Sequence, residues 1–204
     1  MTATSDRSTD LRLLRAIQEF VTKHPSPDVQ RFHDGIANWG TEWRAVRPRH
    51  LNASDTLVGM PPAVQPELAA LLDLFIRHRA NLHWEQAYSA LDAAVGNDML
   101  SNYGYAEIIG KHGPFVSQRV RSGIALYGPG LTYPPHYHQA EEIYALLAGS
   151  AMCSLGDGPT IKRRAGDILY HAPHVAHGLQ TTGESLVIFY LWQGGDLREK
   201  PSFV

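Results

Sequence analysis

The stretch Gly130-Leu-Thr-Tyr133-Pro-Pro-His136-Tyr-His138-Gln-Ala-Glu141-Glu142-Ile-Tyr144-Ala-Leu-Leu-Ala-Gly149 decides how this 204-residue chain is read. His136 and His138 stand two apart, so on an extended strand both imidazoles leave the same face. Glu142 and Tyr144 share one parity on the strand that follows, and Glu141 has the other. A second block, Gly166-Asp167 through Pro173 to His177, can bring a third histidine from a neighbouring strand. Three imidazoles and a carboxylate facing one interior suit a divalent first-row metal with positions left for substrate. The ligands expected on this ground are His136, His138, Glu142 and His177. His174 is an alternative to His177, and His171 reads as a hydrogen-bonded core residue.

Outward from this stretch the pattern is that of short strands. Apolar runs at Gly123–Leu126, Glu142–Leu147, Ser150–Leu155, Asp167–Tyr170 and Ser185–Trp192 alternate with Gly128-Pro129-Gly130, Gly149, Gly156-Asp157-Gly158, Gly166 and Thr182-Gly183. This spacing predicts an antiparallel sandwich or barrel from about Tyr103 onward. Before it the period is helical. Ser8 or Asp10 can cap a helix carrying Leu13, Leu14, Ile17, Phe20 and Val21. A shorter helical segment is expected over Val29–Trp39, and Asn52–Pro66 reads as a loop. Leu68, Leu71, Leu72 and Phe75 mark a further helix. Trp84, Ala87, Tyr88, Leu91 and Val95 mark another, stopping near Gly96-Asn97. The fold class is therefore α+β, mainly β: a helical region over 1–102 packed on a β-barrel over 103–204.

Composition narrows the function. With 18 basic against 20 acidic side chains, a net charge of -2 leaves no basic surplus for nucleic acid. No stretch approaches the roughly 20 apolar residues of a membrane helix, and Met1–Asp10 lacks an apolar signal core. The single cysteine, Cys153, rules out an intrachain disulfide and a thiolate-rich zinc site, and it sits in an apolar run. A soluble cytoplasmic protein is the expectation, with a homodimer left open. Five of the 11 histidines fall between 136 and 177, which concentrates the chemistry there.

Gly130, His136, His138, Glu142 and Gly149 match the spacing of the first cupin motif, and Gly166 to His177 matches the second. Pro173 stands one place later than that motif usually has it, and Thr181 stands where an asparagine is frequent. The wider run from Leu126 through Tyr133, His136, His138, Glu142 and Tyr144 to Trp192 resembles the cupin-type dimethylsulfoniopropionate (DMSP) lyases. That resemblance implies a jelly-roll barrel behind a helical N-terminal region, with one divalent transition metal (Zn, Fe or Mn) per chain. It implies His138, Glu142, Tyr144 and His177 at the metal, with His136 also facing it. It makes Tyr144 the candidate base, with Tyr133 as the other tyrosine that could take that role, and it has Trp192 lining the pocket. The implied substrate is a small zwitterion, cleaved by β-elimination to dimethyl sulfide and acrylate. The residue types suit this chemistry: a phenolate beside a cation becomes a usable base, and the ring faces of Tyr133, Tyr190 and Trp192 can receive a sulfonium. A mononuclear metal dioxygenase or isomerase, or a ligand-sensing cupin, would use the same metal frame.

Overall fold

The computed structural model describes residues 6–37, 42–61 and 65–204. Helix α1 (Arg7–Lys23) is capped by Asp6, not Ser8 or Asp10, and the Asp6 carboxylate accepts from the Ser8 backbone N–H. The helical spacing of Leu13, Leu14, Ile17, Phe20 and Val21 places them on one buried face. The segment expected from Val29 to Trp39 divides into α2 (Pro27–Gln30) and α3 (His33–Ala37), and Trp39 lies outside the described residues. Helix α4 (Pro66–His78) buries Leu68, Leu71, Leu72 and Phe75 and packs against α1.

Two expectations for this half are corrected. The loop expected over Asn52–Pro66 contains a 3-10 helix at Asn52–Leu57, tightened by the Ser54 hydroxyl donating to Leu51 O at 2.6 Å. No helix forms over Trp84–Val95. Trp84–Glu85 is a short strand, the residues after it form a turn in which Asp92 Oδ2 accepts from the Ser89 N–H, and the next helix, α5, is Asn97–Asn102. The helix-like apolar spacing there had other causes. Trp84 is buried by strand pairing, Tyr88 reaches into a cavity, and Leu91 is 94% exposed.

The strands are β1 (Glu42–Trp43), β2 (Trp84–Glu85), β3 (Tyr103–Gly110), β4 (Phe115–Val116), β5 (Val120–Tyr127), β6 (Thr132–Tyr137), β7 (Glu141–Ala148), β8 (Ser150–Leu155), β9 (Ile161–Arg164), β10 (Ile168–His171), β11 (His177–Thr181), β12 (Leu186–Gln193) and β13 (Ser202–Phe203). One sheet runs β1-β4-β3-β5-β12-β7-β10 with β2 on β3, and the other runs β13-β6-β11-β8-β9. Only β3 and β4 pair in parallel; the other described pairs of strands are antiparallel.

The larger sheet is covered on both faces, which explains why its strands read as nearly continuous apolar runs. One face, with Ile108, Ile124, Ala145, Leu147, Phe189 and Leu191, packs on α1 and α4; the Phe20 and Phe189 rings meet edge to face at 5.5 Å. The other face, with Tyr103, Tyr105, Tyr127, Tyr144, Ile188, Tyr190 and Trp192, meets Tyr133, Ala151 and Leu179 of the smaller sheet. Polar chemistry is concentrated on this second face. At Gly149 the chain turns from β7 to β8 with φ +79, and a Cβ would stand 1.9 Å from Ser185 O. Only glycine fits that position. The result is a mainly β fold of two sheets packed face to face behind N-terminal helices.

Candidate metal centre and active site

Strand register builds the cluster. His177 lies directly opposite His136 on β6, and His171 on β10 lies opposite Glu142 on β7. His138 follows the end of β6. Nε2 of His138 is 3.1 Å and Nε2 of His177 is 3.2 Å from Glu142 Oε2, and all three side chains are about 2% exposed or less. His171 Nδ1 is 3.2 Å from the same oxygen. His136 stands at the edge, its ring 4.3 Å from that of His177 and 6.4 Å from that of His138. His174, the alternative third histidine, is exposed and holds a left-handed backbone at φ 62, and its N–H donates to His138 O at 2.9 Å. Glu141 faces outward, where Oε2 accepts from Tyr170 and Arg31 and Oε1 accepts from Gln193.

The backbone selects the tautomers. Nδ1 of His136, His138 and His177 donates to the carbonyls of Pro134, Ala140 and Val175 at 2.9, 2.8 and 3.0 Å, each two residues away. A ring whose Nδ1 carries the hydrogen presents a bare lone pair at Nε2. For His138 and His177 that lone pair points at a carboxylate oxygen, an arrangement that needs a proton or a metal ion between them. Among the described residues the buried Nε2 of His177 has no hydrogen-bond partner, as expected of an atom reserved for an ion. Ligands about 2.0–2.2 Å from a common metal stand about 3.0–3.5 Å apart, which the 3.1 and 3.2 Å spacings match. His138, Glu142 and His177 therefore form a donor set that could hold a metal ion.

Electrostatics agree with an anionic carboxylate. Burial alone would raise the Glu142 pKa, but the imidazoles of His138, His171 and His177 hold it well below the ordinary range. Burial, with His177 alongside, lowers His171 to about 4, so that ring is neutral. Burial likewise raises the phenols of Tyr133 and Tyr144, and for Tyr144 the Glu142 charge adds to the effect.

Beside the cluster lies a cavity of ≈ 190 Å³ lined by Tyr88, Tyr103, Tyr105, Tyr127, Tyr133, Tyr144, Tyr190, Trp192, Glu142 and Arg121. Its size suits a small molecule. Tyr133 stacks on His136 at 3.9 Å, and its hydroxyl is hydrogen-bonded to that of Tyr88. Tyr144 meets His171 edge to face at 4.6 Å. Trp192 stacks on His138 at 4.0 Å and donates its indole N–H to Glu142 Oε1. Residues 198–201 line the cavity too, and Lys200 of that segment pairs with Asp92 at 2.5 Å and covers the Tyr88 ring at 4.8 Å.

Tyr133, Tyr144, Tyr190 and Trp192 were thus expected at the cavity and are found there, and His171, read as a hydrogen-bonded core residue, is buried and bonded to Glu142, whereas sequence reasoning missed Tyr88 and Arg121. That Glu142 is the partner of His171 follows only from the register between β10 and β7. Tyr88 was hidden by the helical reading of its segment, and Arg121 precedes the Gly123–Leu126 run at a position that no motif marks.

Comparison with known proteins gives the same picture. The chain matches the family described as dimethylsulfoniopropionate lyase over residues 53–188. It is 32% identical over 155 residues to the dimethylsulfoniopropionate lyase DddQ of Ruegeria pomeroyi, covering 72% of this chain and 76% of that protein. A chain from the crystal structures of the DMSP lyases RdDddP and RnDddQII superposes with a TM-score of 0.83 at 26% identity, over 97% of this chain and 98% of that one. The crystal structure of DddQ from Ruegeria pomeroyi superposes with a TM-score of 0.80 at 24% identity, over 98% of both chains, and so shares the fold. The chain belongs to the dimethylsulfoniopropionate lyase family, a family of carbon–sulfur lyases.

Proposed function

We propose that this protein cleaves dimethylsulfoniopropionate by metal-assisted β-elimination, releasing dimethyl sulfide and acrylate. The observation that carries the reading is the buried set His138, Glu142 and His177, with its Nδ1 atoms tied to backbone carbonyls, opening onto a cavity walled by tyrosines. Those three residues hold the ion, with His136 and Tyr144 beside them. A divalent cation bound there supplies the positive charge that stabilises negative charge developing on a substrate carboxylate.

The chain's own residues do the rest. A cavity tyrosine, as phenolate, takes the proton alpha to the carboxylate; the C–S bond breaks, its electron pair leaves with sulfur, and the Cα–Cβ double bond of acrylate forms. Sulfur departs as a neutral thioether, so no acid is needed. Tyr133 is the better placed of the two candidates. A phenolate at Tyr144 faces the Glu142 charge, whereas the groups that most raise Tyr133, besides its burial, are neighbouring tyrosines, its hydrogen bond to Tyr88 included, and not a carboxylate. Tyrosine ring faces receive the sulfonium, each such contact being worth about 0.5–2 kcal/mol. Trp192 contributes its N–H to Glu142, and its ring faces Arg121 at 5.2 Å.

The test is release of dimethyl sulfide into the headspace over purified protein given DMSP. Turnover should be abolished by chelation, and Tyr133→Phe should lower it by roughly 10² to 10⁴ with metal content unchanged. Near-normal release by Tyr133→Phe, with Tyr144→Phe inactive, would move the base to Tyr144. No dimethyl sulfide from metal-loaded protein would overturn the substrate.

A further inference from the structure

Across the interior face of the larger sheet, four residues on four adjacent strands stand directly opposite one another: His171, Glu142, Trp192 and Arg121. Three of these touch the candidate metal centre. Arg121 does not, yet its side chain is only 17% exposed and lines the cavity.

Its guanidinium is fixed on two sides. Nε donates to Glu107 Oε2 at 2.7 Å, and Glu107 is itself immobilised, since Oε1 accepts from the backbone N–H groups of His112 and Gly113 at 2.5 and 3.0 Å. The Arg121 Cζ lies 5.2 Å from the centre of the Trp192 ring and 5.5 Å from that of Tyr105. Trp192 is thus held by a cation as well as by the His138 ring stacked on it. Its indole N–H donates to Glu142 Oε1, which leaves Oε2 as the oxygen facing His138 and His177. A planar guanidinium can bond Glu107 along its edge while covering a ring with its face; an ammonium cannot do both.

We propose that Arg121 is a positioning residue for the metal centre, acting through Trp192 to fix the Glu142 carboxylate as a one-oxygen ligand. The inference rests on the metal reading above and extends it to a chain of four side chains, Glu107, Arg121, Trp192 and Glu142. A carboxylate ligand whose second oxygen loses its donor can turn about its terminal bond. Loss of such an outer partner weakens metal binding by roughly 10- to 100-fold.

The experiment is a titration of metal-free protein with Co²⁺, followed by its visible absorption and repeated with Zn²⁺ against a competing chelator. Trp192→Phe and Arg121→Met should each weaken both ions by roughly 10-fold or more and alter the Co²⁺ spectrum, while Arg121→Lys fails to restore either. The double variant should be no weaker than the worse single one, because the two residues act in series. If Arg121→Met does not fold with Glu107 left unpaired, Glu107→Gln/Arg121→Met removes both charges and carries the same expectation. Wild-type affinity and an unchanged spectrum in folded Arg121 variants would overturn the proposal while leaving the metal reading intact. A wild-type protein that binds neither ion would overturn both.

Discussion

Glu141 and Glu142 are neighbours with opposite duties, and Glu141→Ala separates them. Its carboxylate is 18% exposed and ties β7 to its surroundings through Tyr170 Oη at 2.8 Å, Gln193 Nε2 at 2.8 Å and Arg31 Nε at 2.9 Å. The guanidinium of Arg31 stands in solvent, so its pairing is left out of the estimate. Two hydrogen bonds to a charged, partly shielded acceptor are worth about 1 kcal/mol each, giving a loss of about 2 kcal/mol. For a chain of this length that corresponds to a fall in Tm of about 4–8 °C. Thermal unfolding followed by circular dichroism measures the shift, and elemental analysis on the same samples should find metal content unchanged. The reasoning fails if Tm does not move, since those contacts would then carry no weight. It fails differently if metal is lost, because alternation along β7 turns Glu141 away from the cluster.

Three further outcomes are expected. His177→Ala should leave a folded protein with little bound metal by elemental analysis, and full occupancy would remove His177 from the donor set. Burial raises the Cys153 thiol to about 11, so alkylation by iodoacetamide should be negligible at pH 7–8 and climb about tenfold per pH unit above that; rapid labelling at neutral pH would contradict its half-buried setting. Burial would raise Glu85, but hydrogen bonds from His112 and Tyr105 bring it below the usual glutamate value. Its contribution to stability is therefore present above that unfolded value and disappears as pH falls through the lower folded one, so Glu85→Gln should flatten the acid side of a urea-midpoint profile against pH.

The stretch from Gly130 to Gly149 was legible because its information is local. Two-residue spacing sets the face of a strand, and a glycine at φ +79 fixes where β7 turns into β8. The apolar face of α1 was legible for the same reason. Trp84 to Val95 misled because burial there comes from distant partners: Trp84 pairs opposite Ala106, and Tyr88 meets Tyr133. Chance spacing of such residues imitates a helix. Arg121 was out of reach in a similar way, since its place beside Trp192 follows from the register between β5 and β12, and His171 was legible as a hydrogen-bonded core residue but not as the partner of Glu142. The outer partners of the cluster depend on pairing that no short window of sequence encodes.

The place of β12 in the larger sheet bears on the order in which the molecule can be assembled. Leu186–Gln193 is the last of the long strands to be synthesised, yet it lies between β5 and β7, in the middle of the sheet. A ribosome-bound chain that has completed β11 already holds His136, His138, Glu142 and His177, but β5 and β7 still lack the strand that joins them. Closing loops of this length late makes folding slow, and until then both strands expose edges on which another chain can pair. Metal captured at that stage would meet a Glu142 with no indole to hold it. A donor set completed at His177 therefore precedes the strand that steadies its carboxylate, and the interval in which β5 and β7 lie open ends only when β12 is inserted between them.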